Sequence, residues 1–167
     1  MNRRRPESAI CFVVDAMLGR LARWLRILGY DTIYCRDVED ERLVEMAIEK
    51  GAILLTRDTR IRERKRLPEL SFVTSDKLVD QLRELIDRHG LVVDEGKLLS
   101  RCVVCNARLR AAGMEAVAGR VPEFVLHTCP FFRQCPSCER VYWGGSHPSR
   151  IRAVLDEVTH REGRHCE

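Results

Sequence analysis

Long apolar runs are missing from this sequence of 167 residues. The longest run extends from Ala9 to Val14, whereas a transmembrane helix needs about 20 consecutive apolar residues. The run is also short for the core of a secretory signal peptide, although three arginines precede it. We therefore expect a cytoplasmic protein that does not interact with membranes.

Glycine-rich phosphate-binding loops are missing too. No G-x-G-x-x-G or G-x-x-x-x-G-K motif follows any predicted strand, which removes the main support for an enzyme with a nucleotide cofactor. Internal repeats and low-complexity tracts are absent, so a repeat architecture is not expected. Hydrophobic residues at 45% and charged residues at 32% indicate a globular chain and exclude disorder over most of its length.

The net charge is modest, at +4 from 29 basic and 25 acidic residues, and the basic excess lies after residue 95. A small positive charge is weak evidence for a nucleic-acid partner, because only a clustered basic surface favours one. The length suits one compact domain followed by a small module that needs additional stabilisation. We expect the first domain to cover residues 1–95 and the module to cover residues 96–167.

Hydrophobic periodicity predicts an α/β domain in the first part of the chain. Short apolar runs predict four strands at residues 10–14, 32–35, 52–56 and 71–74. Apolar residues at helical spacing predict helices after the first, second and fourth strands, and a glycine follows each helix. This alternation is typical of a parallel sheet with helices on its faces.

Carboxylates follow the first three predicted strands: Asp15 after the first, Asp37 and Asp40 after the second, and Asp58 after the third. Because the carboxyl ends of parallel strands share one edge of the sheet, we expect these side chains to converge. Converging carboxylates repel one another unless a cation lies between them, and Mg²⁺ or Mn²⁺ prefers such oxygen ligands. A metal site of this kind activates water for phosphodiester cleavage. The alternative is that Asp15 and Asp40 cap helices and that Asp58 is a turn residue.

A basic run begins at the same edge of the predicted sheet. Its members are Arg57, Arg60, Arg62, Arg64, Lys65 and Arg66. Such a cluster is suited to holding a phosphate backbone by charge, in the manner of non-specific nucleic-acid binders. The alternative is a solvated surface segment, which is what most short charge runs are.

Two cysteine pairs, each with two intervening residues, lie in the C-terminal part: Cys102 with Cys105, and Cys135 with Cys138. Each pair places two thiolates on one tight turn, and two turns complete the tetrahedral shell that Zn²⁺ favours. Four thiolates leave no open position, so we expect a structural zinc ion in a zinc ribbon. A redox dithiol is disfavoured, because neither pair begins a βαβ unit. Alternative ligands are Cys129, His127 and His147.

Aromatic residues follow the second cysteine pair. Tyr142, Trp143 and His147, with arginines nearby, are suited to stacking on unpaired bases and contacting the phosphates around them. The alternative is that Tyr142 and Trp143 pack the small ribbon. Further on, apolar residues at helical spacing from Ile151 to Val158 predict a C-terminal helix.

Three stretches, together with both cysteine pairs, resemble the Mut-seven C-terminal RNase domain family, a PIN-like ribonuclease domain with an attached zinc ribbon. The stretches are residues 15–31 (DAMLGRLARWLRILGYD), 54–58 (LLTRD) and 141–147 (VYWGGSH), and they occur in the order typical of the family. The resemblance covers about residues 10–150. It implies a PIN-like α/β fold, metal-dependent cleavage of RNA, and a ribbon that assists the binding of RNA or of a partner.

The resemblance also implies roles for individual residues. Asp15 and Asp58 match metal-site carboxylates, and Asp40 is preferred to Asp37 for the middle position because it opens the predicted helix. Asp76 is the candidate for a fourth carboxylate after the fourth strand. Two cysteines receive no role: Cys129 and Cys166.

The leading hypothesis is a ribonuclease in which Asp15, Asp40 and Asp58 hold Mg²⁺ or Mn²⁺ and a metal-bound water attacks RNA. A second hypothesis is a non-catalytic module that binds RNA or the ribosome. RNA is the expected partner in both cases, with the ribosome or RNA-processing machinery as a further one.

Overall fold

The computed structural model describes residues 10–63, 68–144 and 147–159, without the side chains of residues 147 and 148. Several residues that the sequence singles out lie outside this description: Arg64, Lys65, Arg66, Cys166 and the side chain of His147. By its internal contacts, the chain divides after Asn106 into two compact units. The domain boundary expected after residue 95 stays a prediction, because a division by contacts does not show which part of the chain folds on its own.

Four parallel strands form the sheet of the first unit, in the order β2-β1-β3-β4. They are β1 (Cys11–Val14), β2 (Asp31–Tyr34), β3 (Ile53–Thr56) and β4 (Leu70–Phe72). The register pairs Val14 with Tyr34 on one side and with Leu55 on the other. The carboxyl ends of β2, β1 and β3 therefore lie side by side, and the predicted parallel α/β fold is confirmed.

Helices connect the strands of this sheet. They are α1 (Gly19–Ile27), α2 (Asp40–Glu49), α3 (Thr59–Arg62) and α4 (Leu78–His89), with 3₁₀ turns at Ala16–Leu18 and Glu95–Lys97. After α1 the chain turns at Gly29, whose φ of +90° lies in the region that glycine favours. A Cβ there would lie 2.7 Å from the carbonyl oxygen of Lys97, so this turn requires glycine. None of the described helices is long and apolar enough to cross a membrane.

Apolar side chains cover both faces of the parallel sheet. On one face, Val13 and Leu54 belong to a buried cluster with side chains of α2 and α3. On the other, Phe12 meets Tyr30 and His89 edge to face, with ring centroids 6.1 and 6.3 Å away. Because helices cover both faces, the loops at the carboxyl ends of the strands are where an open sheet of this kind binds ligands.

The second unit contains a small antiparallel sheet with the strand order β5-β6-β7. Its elements are β5 (Arg110–Ala112), α5 (Met114–Val117), α6 (Glu123–Thr128), β6 (Phe132–Gln134), β7 (Val141–Trp143) and α7 (His147–Thr159). The C-terminal helix agrees with the sequence, whereas α5 and α6 were not predicted. Val117 and Val125 of these helices pack with Phe132 in a small core, so tertiary packing stabilises helices too short to persist alone.

Candidate active site and metal centre

Asp15 directly follows β1, at the carboxyl edge of the parallel sheet. Its backbone N–H donates to the carbonyl oxygen of Leu55 at 3.0 Å, and the Thr56 hydroxyl donates to its Oδ2 at 2.7 Å. Asp15 precedes the 3₁₀ turn, but its side chain makes no capping hydrogen bond there. The half-buried carboxylate is thus held by the neighbouring strand β3, which argues against a mere helix cap.

Thr56 also holds Asp58. The backbone N–H of Asp58 donates to the Thr56 hydroxyl oxygen at 2.9 Å, so one fully buried hydroxyl connects Asp15 and Asp58. The Asp58 carboxylate caps α3 by accepting the backbone N–H of Arg60 at 2.8 Å. It also forms an ion pair with the Arg60 guanidinium at 2.6 Å. Asp58 is therefore the cap of α3 and not the simple turn residue of the alternative prediction, and its backbone is joined to the Asp15 carboxylate through Thr56.

Asp40 interacts electrostatically with Arg60, the residue that pairs with Asp58. It is the first residue of α2, where Glu39 occupies the N-cap position without a side-chain capping bond. Hydrogen bonding to Asp58 raises the pKa of the Arg60 guanidinium, and the charges of Asp58 and then Asp40 raise it further. Two candidate carboxylates therefore act on one arginine. Asp37 is exposed in the loop between β2 and α2.

Oxygen ligands of this kind fit a hard divalent cation. Among the described residues, the carboxylates do not converge into a group of three or more whose ligand atoms meet. The positive charge beside Asp58 comes from Arg60, whose side chain is 79% exposed. The Asp58 side chain is 17% exposed, so a cation that binds its carboxylate has to displace the Arg60 guanidinium from the solvent side.

The basic run is engaged with neighbouring side chains in its described part. Arg57 forms an ion pair with Asp76, whose side chain is 86% exposed. Arg62 lies over the ring of Phe72, 5.2 Å from its centroid. Asp76 therefore serves as the partner of Arg57 here, and its predicted role as a fourth carboxylate stays a prediction.

Each cysteine pair forms a tight turn with a hydrogen bond to sulfur. The backbone N–H of Cys105 donates to Sγ of Cys102 at 3.5 Å, and that of Cys138 donates to Sγ of Cys135 at 3.4 Å. The four sulfur atoms lie within 4.8 Å of one another. Hydrogen bonds to the charged form of a group favour that form, so these two N–H groups favour the thiolate forms of Cys102 and Cys135. Four thiolates in such a group are the ligands that a tetrahedral ion such as Zn²⁺ prefers.

The alternative ligands make other contacts. The Cys129 thiol donates to the carbonyl oxygen of Gly144 at 3.1 Å, and His127 is exposed on α6. Within the described ranges, the four cysteines are the only group of three or more potential ligands, and no described cysteine forms a disulfide. The two symmetrical pairs are therefore the ligand set that the structure brings together.

Arg26 of α1 binds the backbone of the first cysteine turn. Its side chain is 7% exposed, and its guanidinium donates to the carbonyl oxygens of Thr32 at 2.9 Å, Val103 at 3.2 Å and Val104 at 2.8 Å. Val103 and Val104 are the two residues between the paired cysteines of this turn. The direction of the turn is thus set by an arginine of the α/β unit.

Two flanking residues continue this network. The Asn106 side chain accepts the backbone N–H of Thr32 at 3.1 Å and donates to Asp31 at 2.7 Å. Arg101 donates to Asp31 at 3.0 Å and to the carbonyl oxygen of Gly29 at 3.2 Å. The first cysteine turn is therefore held on α1 and β2 by buried and half-buried polar contacts, which the sequence pattern did not reveal.

The small sheet separates the two predicted RNA-binding aromatics. Arg133 lies opposite Tyr142 in the register, and its guanidinium is 5.8 Å from the ring centroid of Phe131, which is 54% exposed. Trp143 lies on the opposite face, since side chains alternate along a strand, and packs against the core that contains Phe132. We refer to Phe131, Arg133 and Tyr142 as the outer face of the ribbon.

Comparison with known proteins identifies one family. The profile of the Mut7-C RNAse domain matches residues 10–155. The matched range includes the whole parallel sheet, the candidate carboxylates and both cysteine turns. No curated protein and no solved structure gives a significant match.

Proposed function

Because the chain belongs to the Mut7-C RNAse domain family, we propose that it is a metal-dependent ribonuclease of the PIN type. The single observation that carries the proposal is the Thr56 hydroxyl. It bonds the Asp15 carboxylate at 2.7 Å and the Asp58 backbone at 2.9 Å. This link supports the proposal because it joins one candidate metal ligand, Asp15, to the backbone of another, Asp58, where parallel strands end, and such sheets bind ligands there.

In this proposal, Asp15, Asp40 and Asp58 hold Mg²⁺ or Mn²⁺. A bound divalent ion supplies activated water and stabilises the charge that develops during phosphodiester cleavage. Thr56 orients Asp15 through its hydroxyl hydrogen, which leaves the second carboxylate oxygen of Asp15 available for the ion. Arg60 turns outward, and its charge is then placed to attract the RNA backbone.

The four-cysteine group is proposed to hold a structural zinc ion. Four thiolates complete a tetrahedral shell, so the ion has no open position for substrate. The module around β5, β6 and β7 has a core of few residues, and a metal contributes the folding free energy that such a small core lacks. The zinc ion therefore stabilises the surface that the ribbon presents to RNA.

The metal requirement is tested with the purified full chain and a labelled single-stranded RNA. We expect cleavage when Mg²⁺ or Mn²⁺ is present and none when the divalent ion is omitted. Asp58→Asn is the informative variant, because asparagine also caps helices but lacks the charge that a divalent ion needs. Cleavage by wild type and variant at equal rates without the divalent ion would contradict the proposal.

The outer face of the ribbon is proposed to bind single-stranded RNA. An exposed aromatic ring under a guanidinium, with a tyrosine beside them, offers stacking surfaces and charge for bases and phosphates. This arrangement refines the expectation from the sequence, since Tyr142 lies on the outer face and Trp143 packs, partly buried, against the small core.

Alanine at these two positions is expected to have different effects. Tyr142→Ala should weaken the binding of single-stranded RNA by about 1 to 3 kcal/mol and leave the free energy of unfolding nearly unchanged. Trp143→Ala should lower the free energy of unfolding by about 2 kcal/mol, because it removes part of a small core. Fluorescence anisotropy and chemical denaturation measure the two quantities. The reverse pattern would show that Trp143 is the stacking residue.

A second candidate function is a non-catalytic module that binds RNA or the ribosome. The observation that favours it is the ion pair between Asp58 and Arg60, because a permanent pair would keep a metal ion from that carboxylate. RNA binding without cleavage under every divalent ion tried would support this alternative.

A further inference from the structure

A depression lies between α1, α4 and the loop that follows β3. Its lining includes Met17, Arg20, Arg57, Asp76, Leu78 and Gln81. Met17 and Arg20 come from the 3₁₀ turn and α1 that follow β1, Arg57 directly follows β3, Asp76 lies between β4 and α4, and Leu78 and Gln81 belong to α4. Nothing in the proposed metal site uses this depression.

The depression adjoins the candidate carboxylates through the chain itself. Met17 comes two residues after Asp15, and Arg57 comes directly after Thr56, whose hydroxyl bonds Asp15. Asp40 and Arg60 interact on the other flank, beside Asp58. An RNA strand bound across Asp15 would therefore extend from the carboxylates on one flank to the depression on the other.

The charges of the depression suit a phosphate group. Arg57 is held in place by its ion pair with Asp76 and by a hydrogen bond to the carbonyl oxygen of Thr74 at 3.4 Å. Arg20 is exposed on the first turn of α1, and no side chain in the described part of the chain pairs with it. Met17, which is 65% exposed, adds an apolar surface beside the two guanidinium groups.

We propose that Arg20 and Arg57 bind a phosphate of single-stranded RNA next to the one cleaved at the carboxylates. Met17 lies against the sugar or base of the same nucleotide. Arginine suits this role because its planar group donates two parallel hydrogen bonds to phosphate oxygens. The proposal rests on the proposed ribonuclease function for its choice of ligand, and it adds a subsite that positions the strand.

The test uses Arg20→Ala, with Arg23→Ala as the matched control. Both arginines are exposed residues of α1, and Arg23 does not line the depression. All proteins carry Asp58→Asn so that RNA stays intact during the binding measurement. The affinity for a fluorescein-labelled single-stranded RNA of 12 nucleotides is measured by anisotropy at several salt concentrations.

We expect Arg20→Ala to weaken binding about tenfold, and Arg23→Ala to stay within about twofold of the parent. The slope of log Kd against log salt should fall by about one for Arg20→Ala alone, because one phosphate contact is lost. Equal effects of the two substitutions, or an unchanged slope for Arg20→Ala, would overturn the subsite. A loss of RNA affinity confined to Arg20→Ala supports the subsite even if the wild-type chain cleaves no RNA. The subsite and the ribonuclease function can therefore be disproved separately.

Discussion

Replacing Asp15 by asparagine is expected to lower the rate of RNA cleavage by at least about 10² to 10³-fold, since a metal ligand and its charge are lost. The fold should remain, because the asparagine carbonyl oxygen still accepts the Thr56 hydroxyl that bonds Asp15 at 2.7 Å. The free energy of unfolding should stay equal or rise in the absence of divalent ions, because the variant removes one of several negative charges.

The cleavage rate and the free energy of unfolding, measured together, distinguish a metal ligand from a residue that only stabilises the fold. If Asp15 were a helix cap, its loss would cost about 0.5 to 2 kcal/mol for alanine, but its side chain makes no capping bond. Asp87→Asn, an exposed carboxylate of α4, is the control and should cleave at the wild-type rate. Unchanged cleavage by Asp15→Asn, or a loss of activity that follows unfolding, would count against the proposed site.

Replacing Arg26 by methionine is expected to destabilise the first unit by about 3 kcal/mol. The variant leaves three carbonyl oxygens, those of Thr32, Val103 and Val104, without their buried donor, and each such loss costs about 1 kcal/mol or more. Methionine fills a similar volume, so a cavity contributes little to the change. Chemical denaturation of the zinc-loaded chain, followed by circular dichroism, measures the effect.

Arg23→Met is the control for this substitution, because Arg23 is exposed on the same helix and should change the unfolding free energy by less than about 0.5 kcal/mol. The first cysteine turn depends on Arg26 for its direction, so we also expect Arg26→Met to release zinc more readily to a chelator. Equal stability of the two variants would show that Val103 and Val104 are held without the guanidinium.

The sequence predicted the parallel sheet because its evidence is local. The run from Ile10 to Val14 is wholly apolar, and the leucines of α1 recur on one helical face, so period and composition suffice. β4 occupies Leu70–Phe72 and not residues 71–74, because its partner β3 ends at Thr56, with which Phe72 is paired. The end of a strand depends on its neighbour, which a single run of residues does not contain.

The sequence predicted the candidate residues of the site, but not the hydrogen bonds that hold them. Asp15 and Asp58 are recognisable because they follow strands, and the cysteine pairs because their spacing is short. The Thr56 hydroxyl and the contact from Arg26 to Val104 join residues 41 and 78 positions apart, so they depend on the finished fold. One local signal was available for Thr56, which is the polar residue of the buried strand β3.

The most direct test of the central claim is anomalous diffraction from crystals of the full zinc-loaded chain soaked in Mn²⁺. We predict a manganese peak bound by the carboxylates of Asp15 and Asp58, with Asp40 near it and the Arg60 side chain turned away from Asp58. No manganese at these carboxylates, at a concentration that supports RNA cleavage in solution, would contradict the account.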